Sequence, residues 1–347
     1  MTPRARPPIA RSDLSEALAL AEDDLRALSG ARLFCTGATG FYGTWLLELL
    51  GHAIARLNLS LDVVVLSRDP ARFAHARPHL GGLGWLAVHP GDVRNFTSPA
   101  GAFSHVFHAA TSTHGPRVAP KETAAVIVEG TQRTLQFCDA LGAPRLLYAS
   151  SGAVYGQQPE PLSHLPEDFV GALDWAAAQN VYATSKRTAE LLCRLHQPQT
   201  VIARGFAFVG AHLPLDEHFA IGNFILDGLS GRRITLQSDG TPRRSYLYAS
   251  DLAVWLVAML ARAPEGQTYN LGSDEDFTLR EVAERVGALF HVPVAVAGAP
   301  QTGPRHRYVP SIRKARHELG LSPTVDLDSA IIRTARWWRD ASERLSP

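Results

Sequence analysis

The chain is short of everything that would tie it to a membrane, a nucleic acid or an oxidising compartment. It has only three cysteines in 347 residues, Cys35, Cys138 and Cys193, widely spaced and without a CxxC pair. That spacing supports neither a disulfide framework nor a thiol redox motif, and it predicts three reduced, packed thiols. No apolar run reaches the ~18 residues that a bilayer span needs, and the Arg/Pro-rich start MTPRARPP is not followed by a signal-peptide core. An excess of one charge is lacking too. Lys and Arg number 34 against 33 Asp and Glu, a net +1, so no broad field draws in nucleic acid or anionic lipid. These absences predict a cytoplasmic protein with no nucleic acid polymer, membrane or metal as partner.

What is present is core-forming material, 46% apolar residues, ample for one large domain or two unequal ones. Residues 1–11 read as a disordered lead. Asp13 with Glu16 three positions later reads as a capping box that opens a helix. Leu14, Leu18, Ala21, Leu25 and Leu28 fall on one face of it, which predicts an N-terminal extension, 1–30, packed on the main domain. From Ala31 onward the β-rich runs RLFCT, LDVVVLS, WLAVH, HVFHAA and RLLYAS alternate with amphipathic segments. Parallel strands need helical crossovers that bury both sheet faces, so this alternation predicts an α/β, doubly wound parallel sheet of Rossmann type. It is assigned to 31–203 plus 246–273. After 204 the pattern is irregular apart from a helix at 219–230, and a smaller α/β substrate domain is expected over 204–245 plus 274–347.

Gly37, Gly40 and Gly43 stand directly between a strand and a helix. Glycines there let the backbone turn tightly and approach a pyrophosphate, while free N–H groups at the helix start face its charge. Three glycines alone would fit any turn. The flanking strand and helix make this a cofactor loop, with Thr39, Phe41 and Tyr42 among its contacts. The next strand ends at Ser67-Arg68-Asp69, where a dinucleotide fold meets the adenosine ribose. A hydroxyl followed by Arg suits a 2′-phosphate, whereas an acid suits a 2′-OH. NAD or NADP is therefore the expected cofactor, with Ser67 and Arg68 tilting toward NADP and Asp69 two positions on as the counterweight. Asp92 and Val93 follow another strand and could meet the adenine, although Asp is equally a plain turn residue. Ala109 and Ala110 are small enough to let backbone approach the cofactor, and Thr111 beside them is a candidate substrate contact. His108 reads as a packed, hydrogen-bonded histidine.

Ser150 and Ser151 end the strand RLLYASS, at the sheet edge where ligands bind. Tyr182 and Lys186 follow in a helical segment, and their i, i+4 spacing puts both on one face. Hydride transfer at a sugar C–O bond needs a partner for the hydroxyl proton, and a phenol of pKa ~10 is a poor base at neutral pH. The Lys186 ammonium would favour phenolate and bond the nicotinamide ribose, and Ser151 would hold the substrate oxygen beside Tyr182. A YxxxK match by itself is common on solvated helix faces. Here it follows a Gly-rich loop and a Ser-ended strand in the right order.

With these residues in view, the chain resembles the extended short-chain dehydrogenase/reductase family of sugar-nucleotide epimerases, dehydratases, decarboxylases and reductases. The resemblance is carried by TGATGFYG (36–43), HAA (108–110), SSGAVYG (150–156), YATSK (182–186), RRSYLYASD (243–251) and YNLGS (269–273), in order across 31–320. It implies a nucleotide-diphosphate sugar as substrate, with Arg244 at the diphosphate and Arg307 as a second candidate. A guanidinium suits phosphate oxygens. Asn223, at the start of NFILDGL, either reaches the nucleotide or caps its helix. The resemblance also implies a homodimer through helices near 122–141 and 182–197.

The departures are informative. Related 4,6-dehydratases carry Asp and Glu after the catalytic hydroxyl, related decarboxylases a Glu at the second position and related 3,5-epimerases a Cys there; this chain has Gly152 and Ala153. The family's Asn before a GT pair is Ile127, and the Asn of its R-x-F-N pattern is Ala207. The expected reaction is C4 epimerisation of a nucleotide sugar with Tyr182 as general acid/base. The alternatives are NADPH-dependent 4-keto-sugar reduction, a 4,6-dehydratase with atypical acid/base residues, and a non-catalytic NAD(P)-binding regulator.

Overall fold

The computed structural model describes residues 5–111, 118–142, 144–171, 173–197, 199–216, 219–299 and 306–343. Strand and helix alternate from the start: α1 (Arg11–Ala27), β1 (Arg32–Thr36), α2 (Phe41–Leu57), β2 (Asp62–Ser67), α3 (Pro70–Ala76), β3 (Leu86–Pro90) and β4 (His105–His108). They continue with α4 (Pro120–Ala140), β5 (Arg145–Ser151), α5 (Val181–His196) and β6 (Val201–Gly205). Shorter pieces follow: β7 (Phe208–Val209), α6 (Ala220–Leu229), β8 (Ile234–Leu236), β9 (Arg243–Arg244), β10 (Leu247–Tyr248), α7 (Ala249–Arg262) and β11 (Thr268–Leu271). The chain closes with β12 (Phe277–Thr278), α8 (Leu279–Phe290), β13 (Val294–Val296), β14 (Arg307–Tyr308), α9 (Arg313–Leu319) and α10 (Leu327–Glu343).

Seven strands form one parallel sheet in the order β3-β2-β1-β4-β5-β6-β11, the doubly wound arrangement expected. Strand residues alternate between its two faces. Leu33, Cys35, Val63, Val65 and Leu147 enter one core with Trp45 and Trp255, while Phe34, Val64, Leu66 and Leu146 enter a second with Phe96, Phe103 and Phe137. Strand order reverses between β1 and β4, and the connections leaving their C-terminal ends part there to open a crevice. Thr36 pairs with His108, so the two strand ends stand level. A three-stranded sheet, β12-β9-β14, carries the C-terminal side chains toward this edge. All three cysteines are buried and free. No helix among the described residues is long and apolar enough to cross a membrane.

Two expectations about the N-terminus need correction. Residues 1–4 lie outside the described residues, but the rest of the lead is not a disordered tail: Arg6 N donates to Ala76 O at 2.9 Å, and Ile9 is buried. Nor do Asp13 and Glu16 form a capping box. Helix α1 starts at Arg11 behind Ala10 with no side-chain cap. Asp13 points inward instead, accepting from Tyr248 Oη at 2.6 Å and Arg333 Nη1 at 2.8 Å. A buried carboxylate must find donors, and the interior supplied stronger ones than a helix end.

Candidate active site

The loop from β1 to α2 lies against the end of β4. Gly37 has φ +71°, and a Cβ on it would collide with the backbone of Ala109 and Ala110, so only glycine lets these two chain segments touch. Gly40 is the N-cap of α2, offers no side-chain cap, and no acidic residue follows in the first turn. The N–H groups of Phe41, Tyr42 and Gly43 therefore have no intrahelical acceptor. Such a helix start fits the pyrophosphate of a dinucleotide.

At the tip of β2, Ser67 is buried and its Oγ accepts from Asp69 N at 3.2 Å, while Arg68 is exposed. Asp69 caps α3 through Arg72 N at 2.9 Å. Asp92 is held in both oxygens by Arg94, at 2.8 and 2.9 Å, and this pairing keeps its carboxyl below the usual range. Its neighbour Val93 is buried against Gly130. Beyond β4, Ala109 and Ala110 are half-buried, their N–H groups donating to Thr36 O at 3.1 Å and Thr36 Oγ1 at 3.3 Å. His108 is packed as expected, 2.6 Å from Thr36 Oγ1 and 3.0 Å from Thr131 Oγ1, and burial drives its pKa down to about 3.

Ser151 closes β5 on the same edge, its Oγ accepting from Ala153 N at 3.2 Å. Tyr182 is the second residue of α5, and burial raises its phenol while the Ser151 and Thr111 hydroxyls beside it pull the other way. Lys186, one turn on and 1% exposed, donates from Nζ to Ala149 O at 2.7 Å and stands 5.0 Å over the Tyr148 ring. Burial lowers it from 10.5 to about 7. Below it, Tyr148 stacks on the neutral His108 ring with centroids 5.4 Å apart. Ser150 turns away, donating to Glu190 at 2.5 Å, and Glu190 pairs with Arg204 at 2.7 Å. The structure thus brings Ser151, Tyr182, Lys186 and Thr111 to one end of the crevice.

Two side chains not foreseen in the sequence meet them there. Tyr308 and Phe206 pack with their rings tilted by 34° and centroids 4.6 Å apart, and a Cβ on Gly152 would lie 2.7 Å from both Tyr308 Oη and Phe206 Cζ. Burial pushes the Tyr308 phenol up, with the Ser151 hydroxyl opposing. Tyr42 also approaches, edge-on to Phe208 at 5.1 Å with its hydroxyl against Gly205. The only available signal for Tyr308 was its position next to Arg307. In the β9/β14 pairing Tyr308 stands opposite Arg244 and Arg307 opposite Arg243. Since neighbours on a strand face opposite ways, Arg244 lies on the Tyr308 side, near enough for its charge to oppose in part the rise that burial imposes on that phenol. Arg307 and Arg243 instead share Asp276, at 3.4 and 2.8 Å, and Arg307 also donates to Ser163 O at 3.2 Å. Asn223 lies a turn inside α6, whose N-cap is Phe219. It therefore does not open the helix.

Comparison with known proteins follows the same lines. The sequence profile of the "NAD dependent epimerase/dehydratase family" matches residues 33–272. UDP-glucuronic acid decarboxylase 3 of Arabidopsis thaliana is 34% identical over 215 residues, 60% of this chain and 61% of that protein, so the match spans less than two thirds of that relative. UDP-glucuronic acid decarboxylase 6 of the same plant is 30% identical over 317 residues, 86% of each chain. Among solved structures, an epimerase of Methanothermobacter thermautotrophicus superposes with a TM-score of 0.77 at 22% identity, covering 94% of this chain and 98% of that one. The dTDP-glucose 4,6-dehydratase DesIV of Streptomyces venezuelae, solved with NAD and TYD bound, gives 0.74 at 23% identity over 90% and 98%. By sequence profile, near-full-length similarity and fold together, the chain belongs to the NAD-dependent epimerase/dehydratase family.

Proposed function

We propose that the protein is an NAD(P)-dependent nucleotide-sugar epimerase that inverts sugar C4, with Ser151, Tyr182 and Lys186 as its catalytic residues. The observation that carries this reading is the missing carboxylate after Ser151. Phe206 and Tyr308 fill the space a side chain on Gly152 would need, and Ala153 has nothing to titrate. Elimination of water requires an acid/base pair at that point; oxidation and re-reduction at one carbon do not.

A bound nicotinamide supplies the hydride acceptor and then the donor, so the reaction needs no external oxidant. Tyr182 takes the C4 hydroxyl proton on oxidation and returns it on reduction. Ser151 holds the same oxygen, and the Lys186 charge one turn away favours the phenolate. Loop 37–43, Ser67, Arg68, Asp92, Val93, Ala109 and Ala110 are assigned to the dinucleotide. Thr111 and Arg244 are assigned to the nucleotide sugar, with Asn223 and Arg307 behind them. The segments 204–245 and 274–347 form the substrate half, and the active form is a homodimer through α4 and α5.

The relatives' names favour a second reading, decarboxylation of a UDP-uronic acid. A 4-keto uronic acid is a β-keto acid and can lose CO2 once oxidised. The carbanion left at C5 then needs a proton donor, which position 153 does not provide. Incubation with UDP-glucose, UDP-glucuronic acid and a UDP-4-keto sugar, first with no added dinucleotide and then with NAD or NADPH, separates the outcomes. C4 epimers without net dinucleotide consumption are expected, and Tyr182→Phe should lower turnover by roughly 10²–10⁴ while still binding dinucleotide. CO2 with a UDP-pentose would establish decarboxylation, NADPH consumed mole for mole against a 4-keto sugar would establish reduction, and no product in any arm would leave a binding protein.

A further inference from the structure

Behind the cofactor loop stands a set of buried polar groups that the chemistry above does not use. Arg77, just after α3, is 7% exposed. Its Nη2 donates to Thr39 O at 2.8 Å and to Thr44 Oγ1 at 2.6 Å, and its Nε reaches the same hydroxyl at 3.1 Å. Thr44 Oγ1 donates in turn to Gly40 O at 2.8 Å. One guanidinium and one hydroxyl thus hold two successive carbonyls of the loop. In a trans peptide C=O and N–H point opposite ways. Anchoring Gly40 O therefore turns the Phe41 N–H toward the crevice, and anchoring Thr39 O fixes Gly40 N on Gly37 O, where it donates at 3.0 Å.

A second buried polar group stands near Arg77, close enough for the Glu48 and Arg6 charges to act on it. Glu48 follows Thr44 by one turn of α2, hence on the same face, and is 4% exposed. It accepts from Ile9 N at 2.7 Å and lies 3.0 Å from His79 Nε2 and 3.5 Å from His212 Nε2. Burial alone would push this carboxyl up, but the two histidines outweigh it and hold it at about 2. The N-terminal strap, 6–9, closes over the group. Arg6 N bonds Ala76 O and its side chain reaches His212 O at 3.4 Å, while Pro8 O accepts from Trp337 Nε1 at 3.0 Å. Trp337 lies against His212 at 4.3 Å, and His212 holds a left-handed backbone, φ +68°, between β7 and α6. Buried charges are costly where apolar packing would serve, and of these groups Arg77 and Thr44 are the ones bonded to the loop.

We propose that Arg77, backed by Thr44, Glu48 and the N-terminal strap, is a positioning residue that keeps the Thr39–Gly40–Phe41 peptides in their dinucleotide-binding orientation. The proposal rests on the reading of loop 37–43 as the dinucleotide site and gives the N-terminal extension a role in cofactor affinity. The test is made on the full chain freed of copurified dinucleotide, comparing wild type, Arg77→Met, Arg77→Lys and Thr44→Val. NADH and NADPH are titrated by fluorescence and UDP by calorimetry. Wild type binds at least one dinucleotide; Arg77→Met raises that Kd at least tenfold, Arg77→Lys restores part of the loss, and UDP affinity stays within twofold. Thr44→Val, near-isosteric, moves dinucleotide affinity in the same direction and carries the test should Arg77→Met not fold. Unchanged dinucleotide affinity in these variants overturns the proposal, as does a parallel loss of UDP binding, which would mean general loosening. Wild type that binds neither NADH nor NADPH overturns the reading of the loop itself, before any variant is compared.

Discussion

Lys186 is an ammonium buried at the centre of the site. Burial takes its pKa from 10.5 to about 7, and each unit corresponds to about 1.4 kcal/mol. The unfolded chain keeps this proton up to the ordinary lysine value, whereas the folded, ligand-free protein releases it near 7. Stability from this group therefore rises as pH climbs from about 7 toward 10.5, and the penalty is complete below 7. Lys186→Met should be more stable than wild type by about 2–4 kcal/mol at pH 6, with the gap closing by pH 10, although it would be inactive. Urea titrations at both pH values read this directly. A wild type as stable as the variant at pH 6 would mean that Ala149 O and the Tyr148 ring fully offset the desolvation.

Among the elements, the β1–α2 loop is the least tolerant of change. Gly37→Ala adds a methyl in the left-handed region and drives it into the Ala109–Ala110 backbone, so destabilisation of about 2–4 kcal/mol is expected, with loss of dinucleotide binding. Equilibrium unfolding and NADH titration check both; a stable variant that binds normally would show the loop is free to move off β4. This loop was readable in the sequence because its identity rests on a strand, three glycines and a helix within twelve residues. Helix α5 was readable for the same reason, since i, i+4 spacing is local. Asp13 was misread because its partners Tyr248 and Arg333 stand 235 and 320 positions away, and nothing near Asp13 distinguishes a cap from a buried acceptor. Tyr308 was missed for the same cause: its approach to Gly152 depends on β14 pairing with β9, two-residue strands too short to leave a period-2 pattern.

At the scale of the whole molecule, α5 offers an apolar outer face to a partner. Its outer face presents Leu191 and Leu195, 57% and 69% exposed, with Val170 and Trp175 also exposed on the preceding segment. Burying a leucine side chain fully contributes roughly 1.5–3 kcal/mol, and a two-fold interface would count each residue twice. Four leucines removed from water therefore supply a substantial part of a dimer's driving force, against the rotational and translational cost of association. The double variant Leu191→Glu/Leu195→Glu would place four carboxylates in a two-fold interface through this face and should sediment as a monomer at micromolar concentration, where wild type is expected to run as a dimer. Because α5 also carries Tyr182 and Lys186, loss of the interface should lower kcat more than it raises KM for the nucleotide sugar. Wild type sedimenting as a monomer, or a double variant that still dimerises, would assign these leucines to some other contact.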